Sequence, residues 1–170
     1  DNRFCPGYFG HIELARPVFW TQHIDIVIKI LKCVCIRCSK LLVDINDPEI
    51  SDILSRLKGK KRWKYMFDRC SKIKICGAEN GECGCGALQP TTIKKEGFAR
   101  LYAEWKEKSI DECCSEEEKK HLLTPEFVLK SFKEITDSDC EALGFKSNWC
   151  RPNWLICSTL PVPPPPVRPS

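Results

Sequence analysis

The residues with the clearest potential for chemistry in this sequence are its cysteines, which number 13 among 170 residues. Cys35 and Cys38 form a C-x-x-C motif. This spacing lets two thiolates reach one tetrahedral metal ion at metal–sulfur distances of about 2.3 Å. A second pair of ligands must come from elsewhere in the chain, and spacing leaves several candidates open. These candidates are Cys70, Cys76, Cys83 and Cys85, with Cys33 as a further one.

The surroundings of Cys85 favour a metal site over other uses of cysteine. Gly84 and Gly86 flank this residue, and glycines allow the backbone to fold tightly around an ion. Buried free cysteines and a redox C-x-x-C motif are the alternative interpretations. The redox motif fits poorly, because here the C-x-x-C follows a predicted helix and does not open one after a strand. The sequence therefore predicts a structural zinc site with four protein ligands and no open position for water.

The composition of the chain and its expected cellular compartment support the interpretation as a zinc site. The chain is 42% hydrophobic and 29% charged, as is usual for a globular protein. No secretory signal opens it, and its most apolar stretch, residues 24–36, contains three charged residues and is too short to span a bilayer. We expect a reducing, intracellular environment, where many cysteines indicate metal binding. The start at Asp1 and the end inside a proline run predict a fragment of a longer protein.

Charge is distributed unevenly along the chain. Residues 29–74 carry 13 Lys and Arg against 5 Asp and Glu, whereas residues 104–141 carry 6 against 12. Within the basic part, Lys60, Lys61 and Arg62 are candidate contacts to the phosphates of a nucleic acid. The alternative is a solvated helix face with Trp63 in the core.

Short helices and strands must position these residues. Residues 11–15 alternate between apolar and polar and predict a strand that ends at Pro17, and residues 24–31 predict an amphipathic helix that leads into the cysteines. Capping patterns and apolar spacing predict further helices at 48–58, 60–69, 125–135 and 137–143, the first ended by Gly59. Strands are predicted at 87–95, 98–105 and 154–160, and polyproline II at 161–169. The predicted fold class is α+β, with short helices and small antiparallel sheets in an irregular, zinc-stabilised lobe.

Several sequence blocks, in a consistent order along nearly the whole chain, carry a family resemblance. Residues 5–19 read CPGYFGHIELARPVF, and residues 33–42 read CVCIRCSKLL. The remaining blocks are GCG at 84–86, QP at 89–90, RPNW at 151–154 and LPVPPPPVRP at 160–169. Together they resemble the N-terminal clamp region, comprising clamp core and head, of the largest subunit of eukaryotic-type DNA-directed RNA polymerase II.

The resemblance implies an organisation and a ligand set. Residues 1–32 would form the clamp-base strand and helix, 33–90 the zinc-binding clamp head, 91–160 an α+β clamp portion and 161–170 a proline-rich connector. The implied zinc ligands are Cys35, Cys38, Cys76 and Cys85.

The resemblance also includes a second zinc site, but this chain differs from the family at one of its ligand positions. Cys5 matches one ligand of that site, but Tyr8 stands where the family has a histidine. A phenol is a poor zinc ligand at neutral pH, so we expect the second site to be incomplete in this chain. Such departures, with the short loop at 77–82, suggest a divergent version of the family, for example a viral one.

The function implied by the resemblance is transcription by a nucleotidyltransferase. The clamp would hold template DNA and the RNA–DNA hybrid, and would contact other polymerase subunits and initiation and elongation factors, but no membrane. The catalytic Mg²⁺ of the family is held outside this sequence, so no catalytic residue is assigned here. The expected location is the nucleus, or a cytoplasmic viral factory or virion for a viral source. The alternatives are a zinc-binding interaction adaptor without a nucleic-acid role and, more remotely, a cysteine-dependent enzyme.

Overall fold

The computed structural model of the chain describes residues 7–77, 84–105 and 120–168. Cys5 and the segment 78–83, which includes Cys83, lie outside the described residues. The α-helices of the described part are α1 Ile24–Leu31, α2 Pro48–Arg56, α3 Lys60–Cys70, α4 Pro125–Lys133 and α5 Asp137–Ala142. Its strands are β1 Gly10–Phe19, β2 Thr92–Glu96, β3 Arg100–Glu104, β4 Lys120–Leu123 and β5 Ile156–Val162.

The strands form two small antiparallel sheets. Strands β1 and β5 make a two-stranded ribbon, and β2, β3 and β4 make a three-stranded sheet in that order. Gly97, with φ of +64°, lies in the turn between β2 and β3, where a left-handed backbone suits glycine. The predicted α+β class with short helices and small antiparallel sheets is confirmed.

The predicted end of the first strand is wrong, because β1 continues past Pro17 to Phe19. The ladder between β1 and β5 changes register between Glu13 and Val18, and Pro17 lies inside this irregularity. Proline has no N–H to donate, so it is tolerated where the ladder is interrupted.

The predicted structure of the C-terminal part is also corrected. Residues Pro152–Leu155 form a short 3-10 helix, so the strand starts later than expected. It then runs into the proline stretch, where Pro161 pairs with His11 of β1. Pro165–Val167 adopt a second 3-10 turn instead of polyproline II. Pairing with β1 thus determines the conformation of Pro161, which local composition alone could not show.

Most predicted helix starts are confirmed by their caps. The carboxylate of Asp47 accepts a hydrogen bond from the N–H of Glu49 at 3.0 Å, and the hydroxyl of Thr124 accepts one from Phe127 at 3.2 Å. The predicted end of α2 at Gly59 is wrong, because the helix ends at Arg56. Gly59 instead precedes α3 as its N-cap, with φ of +55°.

The strands predicted around residues 87–105 are shorter in the structure. The regular pairing starts only at Thr92 and covers β2 and β3. Strand β4 was not predicted, since its four residues carry too short a pattern. Among the described residues, no helix has the length and apolar character needed to cross a lipid bilayer.

The core of the described part of the chain consists of two neighbouring clusters. The first joins residues of α1 and α4 to the three-stranded sheet. The second surrounds the cysteine-bearing segment and contains Cys33, Cys35, Leu42, Val43, Ile50, Leu54, Met66, Cys70, Ile73, Cys76, Ala142 and Leu143. Trp63 and Phe145 pack against both clusters. The cysteines therefore lie within a packed apolar environment of their own.

Candidate metal centre

The C-x-x-C motif forms a tight backbone turn directly after α1. The N–H of Cys35 donates to the carbonyl of Lys40 at 2.8 Å, and the N–H of Ser39 donates to the carbonyl of Cys35 at 3.0 Å. Ser39 adopts a left-handed backbone with φ of +58°, and its hydroxyl is 2.7 Å from that of Ser131 on α4. This buried hydrogen bond ties the turn to the rest of the fold.

A second backbone turn carries the other two cysteines. Ile75 and Leu88 form an isolated β-bridge. The N–H of Cys76 donates to the carbonyl of Ala87 at 3.0 Å, and the N–H of Gly86 donates to the carbonyl of Cys76 at 3.1 Å. The chain thus folds back on itself and brings Cys85 beside Cys76.

Gly77 and Gly84 make the close contact that allows this turn. A Cβ atom on Gly84 would overlap the carbonyl oxygen of Cys76 and the backbone of Gly77. A Cβ atom on Gly77 would lie 2.7 Å from the Cα of Gly84, and Gly77 also has φ of +86°. Only residues without a side chain let the two backbone segments approach this closely.

The four cysteines selected by the resemblance converge in space. The sulfurs of Cys35, Cys38, Cys76 and Cys85 lie within 4.8 Å of one another. The Cys35 and Cys85 sulfurs are 3.5 Å apart, and the Cys38 and Cys76 sulfurs are 3.8 Å apart. Tetrahedral geometry with zinc–sulfur bonds of about 2.3 Å requires sulfur–sulfur separations of about 3.8 Å. The cluster therefore fits one tetrahedral ion, and the donor set of four thiols suits zinc.

A metal ion can bind these thiols only when they lose their protons. Burial acts to raise the pKa of Cys35, but hydrogen bonds from the N–H groups of Cys38 and Arg37 outweigh it and lower the pKa to about 7. Burial raises the pKa of Cys38, and it raises the pKa of Cys76 to about 12. Because thiolates are the ligands, an incoming metal displaces protons and its affinity rises with pH.

Gln89 is a functional residue that the sequence reasoning did not identify. Its buried side chain donates from Nε2 to the sulfur of Cys35 at 3.2 Å and to the carbonyl of Ala87 at 2.9 Å. Its Oε1 accepts from the N–H of Ile36 at 3.1 Å. The amide thus joins the two cysteine turns and directs a donor at a ligand sulfur, a type of support that metal sites use to orient their ligands. The only available signal was the QP block, which spacing could not connect to Cys35.

The structure also describes two of the other candidate ligands, Cys33 and Cys70, and neither belongs to the cluster of four sulfurs. Cys33 and Cys70 are buried together in the second core cluster. A hydrogen bond with Cys70 and burial both raise the pKa of Cys33, so this thiol is inert at neutral pH. Cys83 lies outside the described residues, as does Cys5 of the second predicted zinc site, while Tyr8 is exposed.

The basic run divides into exposed and engaged residues. Lys60 and Lys61 are exposed in the first turn of α3. The guanidinium of Arg62 instead donates to the carbonyls of Leu54, Leu57 and Glu141, at 2.6, 2.9 and 2.9 Å. Arg62 therefore closes the end of α2 and connects it to α5.

Fold and site together define a class of protein: an α+β domain in which two turns far apart in sequence present four converging cysteine thiols. A family profile described as RNA polymerase Rpb1, domain 1, matches residues 1–170. The chain belongs to this family.

A curated relative supports the assignment. The chain is 44% identical over 177 aligned residues to DNA-directed RNA polymerase II subunit RPB1 of Euplotoides octocarinatus. The alignment covers 100% of this chain and 36% of the relative. The chain thus spans about a third of the length of this curated relative.

Proposed function

We propose that this chain is the clamp segment of the largest subunit of a multisubunit DNA-directed RNA polymerase. It would hold template DNA and the RNA–DNA hybrid in the cleft during transcription. The observation that carries the proposal is the family match over the whole chain, which includes the turns that bring four thiols together. The division into clamp base (1–32), zinc-binding head (33–90), α+β portion (91–160) and proline-rich connector (161–170) belongs to this proposal.

The metal centre has a structural role in this proposal. Zinc held by Cys35, Cys38, Cys76 and Cys85 would have four protein ligands and no site for a reactive water. It would join the two turns, which the Gln89 amide also links by hydrogen bonds, so the head could act as a rigid body. The chemistry of the polymerase would depend on Mg²⁺ held elsewhere in the assembly.

The partners follow from the same proposal. Other polymerase subunits, DNA, the RNA–DNA hybrid and transcription factors are the expected partners, and the nucleus is the expected location. The relative, by its description, is a subunit of DNA-directed RNA polymerase II, which supports this assignment. A zinc-binding adaptor without a nucleic-acid role is the second candidate.

Purification from the source cells should separate these two candidates. A tag on the gene that encodes this chain is expected to copurify a complex that synthesises RNA on a DNA template. Tagging an unrelated nuclear protein provides the control. Recovery of the tagged protein with partners but without template-dependent RNA synthesis would favour the adaptor.

Contact with nucleic acid is proposed for the exposed lysines of α3. Lys60 and Lys61 would neutralise backbone phosphates, and Arg62 would add charge while its hydrogen bonds remain with the carbonyls. In the double variant Lys60→Gln and Lys61→Gln, we expect the slope of log K against log salt for duplex DNA to decrease by about 2, roughly one per lost contact. Filter binding or fluorescence anisotropy over a salt series measures this slope.

The control removes two lysines from another exposed helix face. Lys130 and Lys133 lie on α4 and are exposed. Their replacement by Gln changes the net charge equally but should leave the salt slope unchanged. Equal slopes for all three proteins would show that Lys60 and Lys61 do not contact DNA.

A further inference from the structure

An open groove lies between the start of α3 and the segment that follows α5. Its volume is about 490 Å³. One wall contains Lys58, Gly59 and Arg62, and the other is formed by residues 144–149 with Glu141. None of the metal ligands contributes to this groove, so it is a site separate from the cysteine cluster.

The groove is held in shape by contacts between its walls. The guanidinium of Arg62 donates to the carbonyl of Glu141 across the two walls at 2.9 Å. At the base, Gly144 has φ of +90°, and a Cβ on it would lie 3.2 Å from the carbonyl oxygen of Gly59. Trp63 and Phe145 meet edge to face, with ring centroids 5.4 Å apart. A ligand would therefore meet a preformed surface, which limits the conformational cost of binding.

Trp149 presents its indole at the rim of this groove. The residue is 81% exposed, although an indole carries a large apolar surface that is usually packed. A short turn supports it, since the N–H of Trp149 donates to the carbonyl of Lys146 at 2.9 Å and the N–H of Cys150 donates to the same oxygen at 2.8 Å. The ring is thus displayed on ordered backbone and has a face free for a planar ligand.

The charge of the groove selects an anionic ligand. Lys58, Arg62 and Lys146 line it against a single carboxylate, Glu141. The hydroxyl of Ser147 donates to that carboxylate at 3.4 Å, which partly offsets its charge. Lys60 and Lys61 follow at the same end of α3 and are exposed. The surroundings of Trp149 are therefore net positive.

The available cations favour phosphate over carboxylate. Arg62 is the guanidinium lining the groove, and carbonyls occupy three of its five N–H donors. Its capacity for bidentate pairing with a carboxylate side chain is therefore reduced. The ammonium groups of Lys58 and Lys146 act as point charges, which suit phosphates in any orientation. Lysines beside an exposed aromatic ring are the combination found where proteins bind single strands without regard to sequence.

We propose that this groove binds single-stranded nucleic acid, with one base stacked on Trp149 and the adjoining phosphates neutralised by Lys58 and Lys146. The inference rests on the proposed function in assigning the chain a nucleic-acid partner, and it deepens that function by naming the strand type and the site. The site does not depend on duplex contacts at Lys60 and Lys61.

Substitution of the tryptophan tests the proposal in the full zinc-loaded chain. The probes are fluorescently labelled eight-nucleotide oligomers, oligothymidylate and oligouridylate, which distinguish DNA from RNA. Trp149→Ala is expected to weaken binding by about 5- to 150-fold, the equivalent of one lost base stack. Trp149→Phe should retain most of the affinity because it keeps an aromatic face.

A second exposed tryptophan provides the matched control. Trp154 is 55% exposed in the 3-10 helix Pro152–Leu155 and does not line the groove, so Trp154→Ala should leave the affinity unchanged. Thermal unfolding of each variant verifies that the fold is intact. Equal losses for Trp149→Ala and Trp154→Ala, or no loss for Trp149→Ala, would overturn the proposal.

Two further outcomes are decisive. If an eight-residue acidic peptide binds in a Trp149-dependent way and neither oligomer does, the groove is a protein-docking site and the proposal is wrong. If duplex DNA binds with the salt slope described above while the oligomers ignore Trp149, the proposed function stands and this inference alone fails.

Discussion

Removing the proposed zinc ion from this chain is expected to unfold the segment built around the four cysteines. Apparent zinc-binding free energies of structural sites are about 10–16 kcal/mol, whereas a whole domain is typically stable by about 5–15 kcal/mol. The second core cluster contains two of the proposed ligands, Cys35 and Cys76, so loss of the ion should disrupt its packing. Metal analysis should find about one zinc per chain, and a strong chelator should reduce far-UV circular dichroism and lower the unfolding temperature.

Two single substitutions distinguish the metal site from cysteine chemistry in general. Cys35→Ser replaces a proposed ligand thiolate by a hydroxyl and should abolish zinc binding. Cys150→Ser is the control, because Cys150 is a free, exposed thiol outside the cluster, and it should retain one zinc per chain. A chain that is folded without metal and unaffected by the chelator would contradict the structural role of the ion.

The second large effect is expected from Gly84→Ala, which alters no ligand. The added methyl group would occupy the space of the Cys76 carbonyl oxygen and the backbone of Gly77. Backbone atoms cannot rotate away as a side chain can, so the turn must open and move Cys85 away from the other sulfurs. We expect loss of most bound zinc and destabilisation comparable to that of Cys35→Ser, measured by metal analysis and thermal unfolding.

Gly86→Ala is the matched control on the other side of Cys85. Among the described residues, no atom beyond the chain neighbours of Gly86 lies within 4 Å of the added Cβ, but Gly86 has φ of +68°. The expected cost is only that of a left-handed alanine, about 1–2 kcal/mol, and the zinc should remain bound. If both glycine variants keep their zinc, the close contact of Gly84 with Gly77 is not required for the site.

Local structure was predictable where its cause lies in neighbouring residues. Asp47-Pro48 and Thr124-Pro125 begin helices because a capping side chain and a proline act within one turn. Pairings between distant segments were not predictable in this way. Strand β5 extends through Pro161 because β1 lies beside it, and no pattern near Pro161 contains that information.

In the candidate metal site, too, some features were predictable from the sequence and others were visible only in the tertiary structure. Its candidate ligands Cys76 and Cys85 were selected by the family resemblance, whereas spacing had left Cys70 and Cys83 equally open. The role of Gln89 became visible only when its amide was found between the two cysteine turns. From the sequence, Arg62 was likewise a candidate phosphate contact. In the structure its guanidinium instead donates to three carbonyls, which belong to α2, α5 and the segment after α2.

By itself, the sequence determined the C-x-x-C motif, the four candidate thiol ligands through their family resemblance, the α+β class and most helix starts. These depend on residue type and on interactions within a few positions. Only the tertiary structure decided that the four sulfurs lie within 4.8 Å of one another, that Gly77 and Gly84 make this approach sterically allowed, and that Trp149 lines a basic groove. The Cys35 and Cys85 sulfurs meet across 50 positions and Arg62 reaches Glu141 across 79, so these contacts arise from packing of distant parts of the chain.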